Sequence, residues 1–181
     1  MCVRSPRTIL STSTTHTSNA STSTSCTFVA MFTGPPRLRR PICAIVGGTN
    51  TGKSMIGADV LRRVGEVLGL TKFLEVTVED DGNLDLSELD VENHAGVLLD
   101  GVGDAAMLAR HREALQGRAK STTGGRSATM LYAYPFSLAS RAVVATFDLS
   151  AENLNLFNTH HWLKNPANVM VVHLTEPAWV R

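Results

Sequence analysis

Residues 42–54 read Ile-Cys-Ala-Ile-Val-Gly-Gly-Thr-Asn-Thr-Gly-Lys-Ser, an apolar run followed by a complete G-x-x-x-x-G-K-S motif. The apolar run predicts a strand, and residues 53–68 have the spacing of a helix that Gly69 ends. In such a loop the backbone N–H groups and the lysine hold phosphates, the serine hydroxyl ligates Mg²⁺, and the helix dipole adds its positive end. The residues predicted to bind a nucleoside triphosphate are Gly47, Gly48, Thr49, Asn50, Thr51, Gly52, Lys53 and Ser54.

From Pro41 onward, short apolar runs alternate with helix-like stretches, which is the pattern of a parallel α/β sheet. A helix is expected at 104–116, with Asp104 as its N-terminal cap. The sequence therefore predicts an α/β fold: a three-layer sandwich around a mainly parallel sheet of four to five strands. After the first strand, further strands are predicted at 73–78, 96–100, 141–147 and 169–174.

The first 40 residues differ in composition from the rest. Residues 11–27 are nearly all Ser and Thr, and no Asp or Glu occurs before Asp59. Such a polar segment is predicted to be disordered, and its basic, acid-free composition is that of an organelle transit peptide. A non-functional tail is the open alternative, with Met31 as an equally sensible start. We expect a disordered leader at 1–40, one domain at 41–181 and an undetermined compartment.

Composition excludes several classes of protein. The chain has 181 residues, is 43% apolar and carries a formal charge of +1. Its three cysteines, Cys2, Cys26 and Cys43, lack the spacing of a disulfide framework or a zinc site. No apolar stretch approaches the roughly 18 residues that a membrane span needs. We therefore expect a soluble, intracellular domain with no membrane partner.

Asp100 ends the apolar run Gly-Val-Leu-Leu-Asp at 96–100. A buried strand delivers such an acid to the carboxyl edge of a sheet, where it can share a Mg²⁺ shell with Ser54. A loop-capping Asp is the structural alternative. The next residue is Gly101, where many ATPases carry a second acid that polarises water, so hydrolysis is left open. Asp104 could substitute for that acid or serve only as a helix cap.

Residues 117–134 are basic and contain paired glycines, which predicts a β-hairpin with a positively charged tip. Lys120 and Arg126 are the candidate contacts to the phosphodiester backbone of a single strand. A solvated loop is the alternative for this segment.

Together these parts resemble the helicase domain of superfamily 3, found in Rep proteins of small circular single-stranded DNA viruses and in related viral RNA helicase-type domains. The resemblance covers about residues 41–160 and implies a RecA/AAA+-like P-loop NTPase fold with ATP and Mg²⁺ as cofactors. That family ends motif C in Asn, whereas here Thr146 or Asp148 would have to sense the γ-phosphate. Motifs A, B, the hairpin motif and motif C correspond to 47–54, 97–100, 120–125 and 142–148.

The leading hypothesis is an ATP-binding and ATP-hydrolysing helicase-type motor that acts on single-stranded DNA or RNA as a homo-oligomeric ring. Ser54 and Asp100 would hold Mg²⁺. The Rep nickase domain is not expected, because the residues ahead of the motif are rich in Ser and Thr. The predicted catalytic residues are Lys53, Asp100, Thr146 and Asp148.

An arginine of a neighbouring subunit would complete the site, with Arg141 and Arg181 as candidates. Two alternatives stay open. One is a small-molecule or nucleoside kinase on the same fold class, because the fold does not fix the acceptor. The other is a nucleotide-binding relic that does not hydrolyse and serves as an interaction module.

Overall fold

The computed structural model describes residues 19–37, 39–78, 84–118, 120–124 and 132–177. The helices in these residues are α1 (Asn19–Ala30), α2 (Lys53–Leu68), α3 (Ala106–Arg110), α4 (Arg112–Leu115) and α5 (Ala151–Thr159). The strands are β1 (Ile42–Gly47), β2 (Lys72–Thr77), β3 (His94–Val102), β4 (Lys120–Gly124), β5 (Tyr132–Phe136), β6 (Ala142–Asp148) and β7 (Val169–Leu174).

Five strands form one parallel sheet in the order β2-β3-β6-β1-β7. Because all five run the same way, their carboxyl ends meet at one edge. β6 lies between β1, which leads into the phosphate loop, and β3, which carries Asp100. The register pairs Gly47 with Asp148 and Ile45 with Thr146. The topology therefore brings three distant parts of the sequence to one place.

Helices cover both faces of this sheet, so its central strands are buried on both sides. Cys43 and Ile45 of β1 belong to the core under α1 and α2. Ile42, Ala44 and Val46 belong to the opposite core, under α3, α4 and α5. The alternation explains why the strand is apolar throughout. It also confirms the predicted three-layer α/β sandwich with a parallel sheet.

α1 lies within the segment for which the sequence predicts disorder. Its Phe28 is fully buried, and Phe32 just beyond the helix is nearly so. The two rings lie 5.5 Å apart in the core that α1 shares with α2 and β7. Burial of these two aromatic side chains offsets the conformational entropy that the segment loses when it becomes ordered. Its Ser and Thr side chains alone could not offset that loss.

Arg40 connects the residues just after α1 to the domain. Its guanidinium lies 4.1 Å from the centroid of the Phe32 ring and donates a hydrogen bond to the carbonyl of Met31. Burial, and then nearby Arg37, lowers the pKa of Arg40. Within the expected leader at 1–40, the structure therefore has α1 at residues 19–30 and packs Phe28 in the core, while the boundary between leader and domain at 41 stays a prediction. Residues 1–18 lie outside the described part of the chain.

The expected helix at 104–116 is two short helices, α3 and α4, separated by His111 at φ −97° and ψ 11°. The N-cap of α3 is Ala105 and not the predicted Asp104, although Asp104 Oδ1 accepts a hydrogen bond from the Ala106 N–H at 2.7 Å. β4 and β5 form an antiparallel pair apart from the main sheet, as the predicted hairpin requires. Its tip, 125–131, lies outside the described residues. Among the described residues, no helix is both long and apolar enough to cross a bilayer.

Candidate nucleotide-binding site

The loop between β1 and α2 is shaped by its backbone. Asn50 and Gly52 adopt left-handed conformations, with φ of 60° and 85°. Gly47 has no room for a side chain: a Cβ there would lie 2.7 Å from Thr51 Oγ1 and 3.0 Å from Leu174 Cβ. The loop therefore curls tightly at the carboxyl edge of the sheet. α2 begins there, and the positive end of its dipole points into the loop.

Lys53 is held inside this loop. Its ammonium group donates to the carbonyls of Gly47 at 3.1 Å and Gly48 at 2.7 Å, and it lies 2.9 Å from Asp148 Oδ1. The Lys53 side chain is 12% exposed, whereas that of Asp148 is 77% exposed. The Thr51 hydroxyl closes the turn by donating to the Gly48 carbonyl at 2.8 Å. The single cation of the loop is thus fixed beside the end of β6.

Ser54 and Asp100 meet across the sheet although 46 positions separate them in the chain. Asp100 Oδ1 accepts hydrogen bonds from Ser54 Oγ at 2.7 Å and from Thr146 Oγ1 at 2.6 Å. A hydroxyl and a carboxylate at this spacing are oxygen donors that suit Mg²⁺, which takes one or two protein oxygens together with substrate phosphates. Ser54 and Asp100 therefore fit the Mg²⁺ ion that the resemblance implies.

A β-bulge places Asp100. Leu99 pairs with Ala145 and Val102 with Phe147, so Asp100 and Gly101 both lie opposite Thr146. The Thr146 hydroxyl bridges the bulge, since it also accepts from the Gly101 N–H at 2.9 Å. Gly101 has φ of 71°, a conformation that favours glycine. Many ATPases carry a second acid at the position of Gly101. Here the left-handed backbone at this position favours glycine.

Thr146 is 1% exposed, and its hydroxyl is engaged with Asp100 and Gly101. Asp148, two residues later, is exposed and contacts Lys53. We refer to Asp100, Thr146 and Asp148 as the β3–β6 cluster. The structure brings this cluster together with Lys53 and Ser54, and the roles predicted for these residues remain predictions.

α5 and Asn153 were not predicted from the sequence. The signal that could have found them is Ser150, a helix N-cap, followed by apolar residues at Leu154 and Phe157. Ser150 Oγ accepts from the Asn153 N–H at 3.1 Å. The Asn153 side chain is 3% exposed and contacts the loop that follows β3.

The other predicted residues lie elsewhere. Lys120 begins β4, away from the main sheet, and Arg126 and Arg181 lie outside the described residues. Arg141 lies at the amino end of β6, the opposite edge from the phosphate loop, where its guanidinium donates to the Val91 carbonyl. Asp104 has partners for both oxygens, the Ala106 N–H and Arg110 at 3.7 Å. The described residues contain no cluster of three or more His, Cys, Asp or Glu suited to holding a metal ion.

No protein-family model and no curated protein matches the sequence. Among solved structures it is similar to NtrX from Brucella abortus in complex with ATP, at 12% identity and a TM-score of 0.43, over 91% of this chain. It is also similar to the DnaC helicase loader, at 12% identity and a TM-score of 0.46, over 89% of this chain and 94% of that one. The chain spans only 39% of the length of the NtrX chain.

What decides the class is the chain's own geometry: a G-x-x-x-x-G-K-S loop between β1 and α2, with an acid of β3 hydrogen-bonded to the serine of that loop. The chain has a P-loop NTPase fold. The P-loop here is residues 47–54.

Proposed function

We propose that the protein binds ATP with Mg²⁺ and hydrolyses it as a helicase-type motor on single-stranded nucleic acid, in the manner of superfamily 3 Rep proteins without their nickase domain. The hydrogen bond of 2.7 Å between Ser54 and Asp100 is the observation that supports binding of ATP with Mg²⁺. This bond joins the end of the P-loop to β3, although β3 is not a neighbour of β1 in the sheet.

Binding would use the curled backbone first. The N–H groups of residues 48–54 and the start of α2 would hold the phosphate oxygens, and Lys53 would exchange its contact with the Gly48 carbonyl for phosphate oxygens. Ser54 and Asp100 would hold Mg²⁺. The ion would offset phosphate charge and orient the tail. Thr146 would fix the orientation of the Asp100 carboxylate, because its hydroxyl is bonded to Asp100 Oδ1.

Hydrolysis needs a group that orients the attacking water. Gly101 carries no side chain, and both Asp104 oxygens have partners. Asp148 is exposed at the end of β6 and lies 2.9 Å from Lys53, so it is the exposed acid of the β3–β6 cluster beside the P-loop lysine. We assign it the contact with the terminal phosphate or the water, and Thr146 a positioning role.

The nucleic-acid partner is proposed from the β4–β5 hairpin. This ribbon follows α4 and precedes β6, and residues 137–141 join it to the amino end of that strand. Lys120, together with Arg126, which lies outside the described residues, would supply phosphodiester contacts. Arg181, or Arg141 if released from Val91, would act on the site of a neighbouring subunit in a ring.

A nucleotide-binding module without turnover is the second candidate. The observation that favours it is Gly101, whose φ of 71° leaves position 101 unable to carry an acid without strain. Under this alternative ATP binds with Mg²⁺ but is not consumed.

Turnover and binding measured together test the proposal. We expect the full chain to bind Mg-ATP and to hydrolyse it faster with single-stranded DNA or RNA. Lys53→Ala should weaken ATP binding by about 10- to 100-fold, because a charge-assisted hydrogen bond contributes about 1.5–3 kcal/mol. Lys164→Ala, which removes an exposed lysine beyond α5, is the matched control. Unchanged affinity in Lys53→Ala would remove the basis of the proposal, and binding without turnover would favour the second candidate.

A further inference from the structure

Asn153 is a nearly buried polar side chain in the first turn of α5, and every polar group of its amide has a partner. Its Oδ1 accepts from the Ala105 N–H at 2.9 Å. Its Nδ2 donates to the Gly103 carbonyl at 3.1 Å and lies 3.5 Å from the Asp148 carbonyl. Burying an amide is favourable only when its hydrogen bonds are made, so this arrangement fixes each partner in place.

Two of the three partners lie in the loop after β3, and the third is the last residue of β6. Gly103 and Ala105 follow Asp100, and Asp148 ends β6. Because Gly101 forms a bulge, the ladder between β3 and β6 is irregular at this point. A side chain that is hydrogen-bonded to the backbone on both sides of the bulge sets the spacing between Asp100 and Asp148. None of its hydrogen bonds reaches the P-loop.

We propose that Asn153 is a positioning residue of the nucleotide site, which holds the loop after β3 against the end of β6 and so sets the placement of Asp100 relative to Asp148. This inference rests on the proposed function. It separates two parts of the site: the P-loop, which binds phosphates without Asn153, and the β3–β6 cluster, which depends on Asn153 for its geometry.

Two substitutions test the inference on the full chain. Asn153→Ala removes all three side-chain contacts. Asn153→Asp keeps the shape and the acceptor for the Ala105 N–H, but it sets a carboxylate against the carbonyls of Gly103 and Asp148. Asn155→Ala, an exposed asparagine of the same helix, is the matched control. Leu163→Ala, in the core beneath the site-bearing sheet, controls for loss of stability alone.

Hydrogen exchange measures the positioning directly and needs no activity. We expect amides of residues 101–106 to exchange about tenfold faster in Asn153→Ala, which corresponds to the loss of one hydrogen bond. Exchange in residues 48–54 should stay as in the wild type. Leu163→Ala should instead raise exchange across the whole core.

The nucleotide readouts follow the same division. Affinity for ATP without Mg²⁺ should be unchanged in Asn153→Ala, whereas the gain in affinity on adding Mg²⁺, and kcat, should each fall about tenfold, the lower end of effects seen when a supporting hydrogen bond is lost. Asn155→Ala should change neither. Unchanged exchange at 101–106, or unchanged Mg²⁺ dependence and kcat in folded Asn153→Ala, overturns the inference. If the wild type binds no Mg-ATP, the proposed function fails, and the exchange result alone then decides for or against Asn153 as the residue that fixes the loop.

Discussion

The P-loop consists of eight consecutive residues, whereas the β3–β6 cluster consists of Asp100, Thr146 and Asp148 from two strands. The first is shaped by its own backbone, with left-handed turns at Asn50 and Gly52. The second exists only because β3 and β6 are neighbours in the sheet.

This difference determines what each region is sensitive to. A local loop is disturbed chiefly by substitutions within its own turn. The cluster is sensitive to anything that shifts one strand end relative to another, including residues such as Asn153 that need not contact nucleotide. The two regions join at two contacts, Ser54 to Asp100 and Lys53 to Asp148.

The largest expected effect comes from a change at the first of these contacts. Asp100→Asn keeps the size of the side chain but loses the charge that would help hold Mg²⁺. We expect the Mg²⁺-dependent part of ATP affinity to fall about 10- to 100-fold, while ATP binding without Mg²⁺ is retained by the P-loop. Titration calorimetry with and without Mg²⁺ measures both. An equal loss in the two titrations would show that the two regions are not separable.

Local patterns predicted most of the fold. The motif at 47–54, the helix Lys53–Leu68 and the strand Val169–Leu174 were found with their exact bounds, because each combines a clear apolar period with a glycine or polar boundary. The strand at 96–100 was found but is longer in the structure, His94–Val102, because the bulge at Gly101 continues the pairing beyond the acid.

Features that depend on tertiary contacts were missed. α1 was hidden because the Ser/Thr-rich composition of its surroundings outweighs two phenylalanines whose burial only the folded domain reveals. The bridging roles of Thr146 and Asn153 depend on which strands are neighbours, and strand order cannot be obtained from the spacing of motifs. The sequence therefore predicted which side chains meet at the carboxyl edge of the sheet better than it predicted which contacts hold them there.

Gly47→Ala sharpens the comparison from the side of the P-loop. The added methyl would lie 2.7 Å from Thr51 Oγ1 and 3.2 Å from the Leu174 carbonyl, so the turn or β7 must shift. We expect a loss of about 1–3 kcal/mol in the free energy of unfolding, together with weaker ATP binding. Gly48→Ala is the matched control, because its nearest neighbour would be Thr51 Cγ2 at an ordinary 3.7 Å. Urea denaturation measures the free energy of unfolding of both variants. Equal values for Gly47→Ala and Gly48→Ala would contradict the tight turn.

Gly101→Ala examines the bulge. No atom lies within 4 Å of the added methyl, so the cost is one of backbone conformation alone, about 1–2 kcal/mol for a left-handed residue. Gly103→Ala, also open and without a left-handed φ, should cost less. The midpoint of urea unfolding compares the two. For the same reason Gly101→Glu should not raise ATP turnover, and a gain in turnover would show that the backbone can adapt.

Asp148→Asn should have the smallest effect on stability. The pair with Lys53 is 2.9 Å long, but the carboxylate is 77% exposed, and exposed ion pairs contribute only about 0–1 kcal/mol. The free energy of unfolding should therefore change little, and Glu113→Gln, which removes the exposed pair with Arg118, should match it. Turnover should nevertheless fall in Asp148→Asn alone, because its carboxylate faces the lysine of the P-loop. Equal turnover in the two variants would confine the function of the β3–β6 cluster to Asp100 and its Thr146 support.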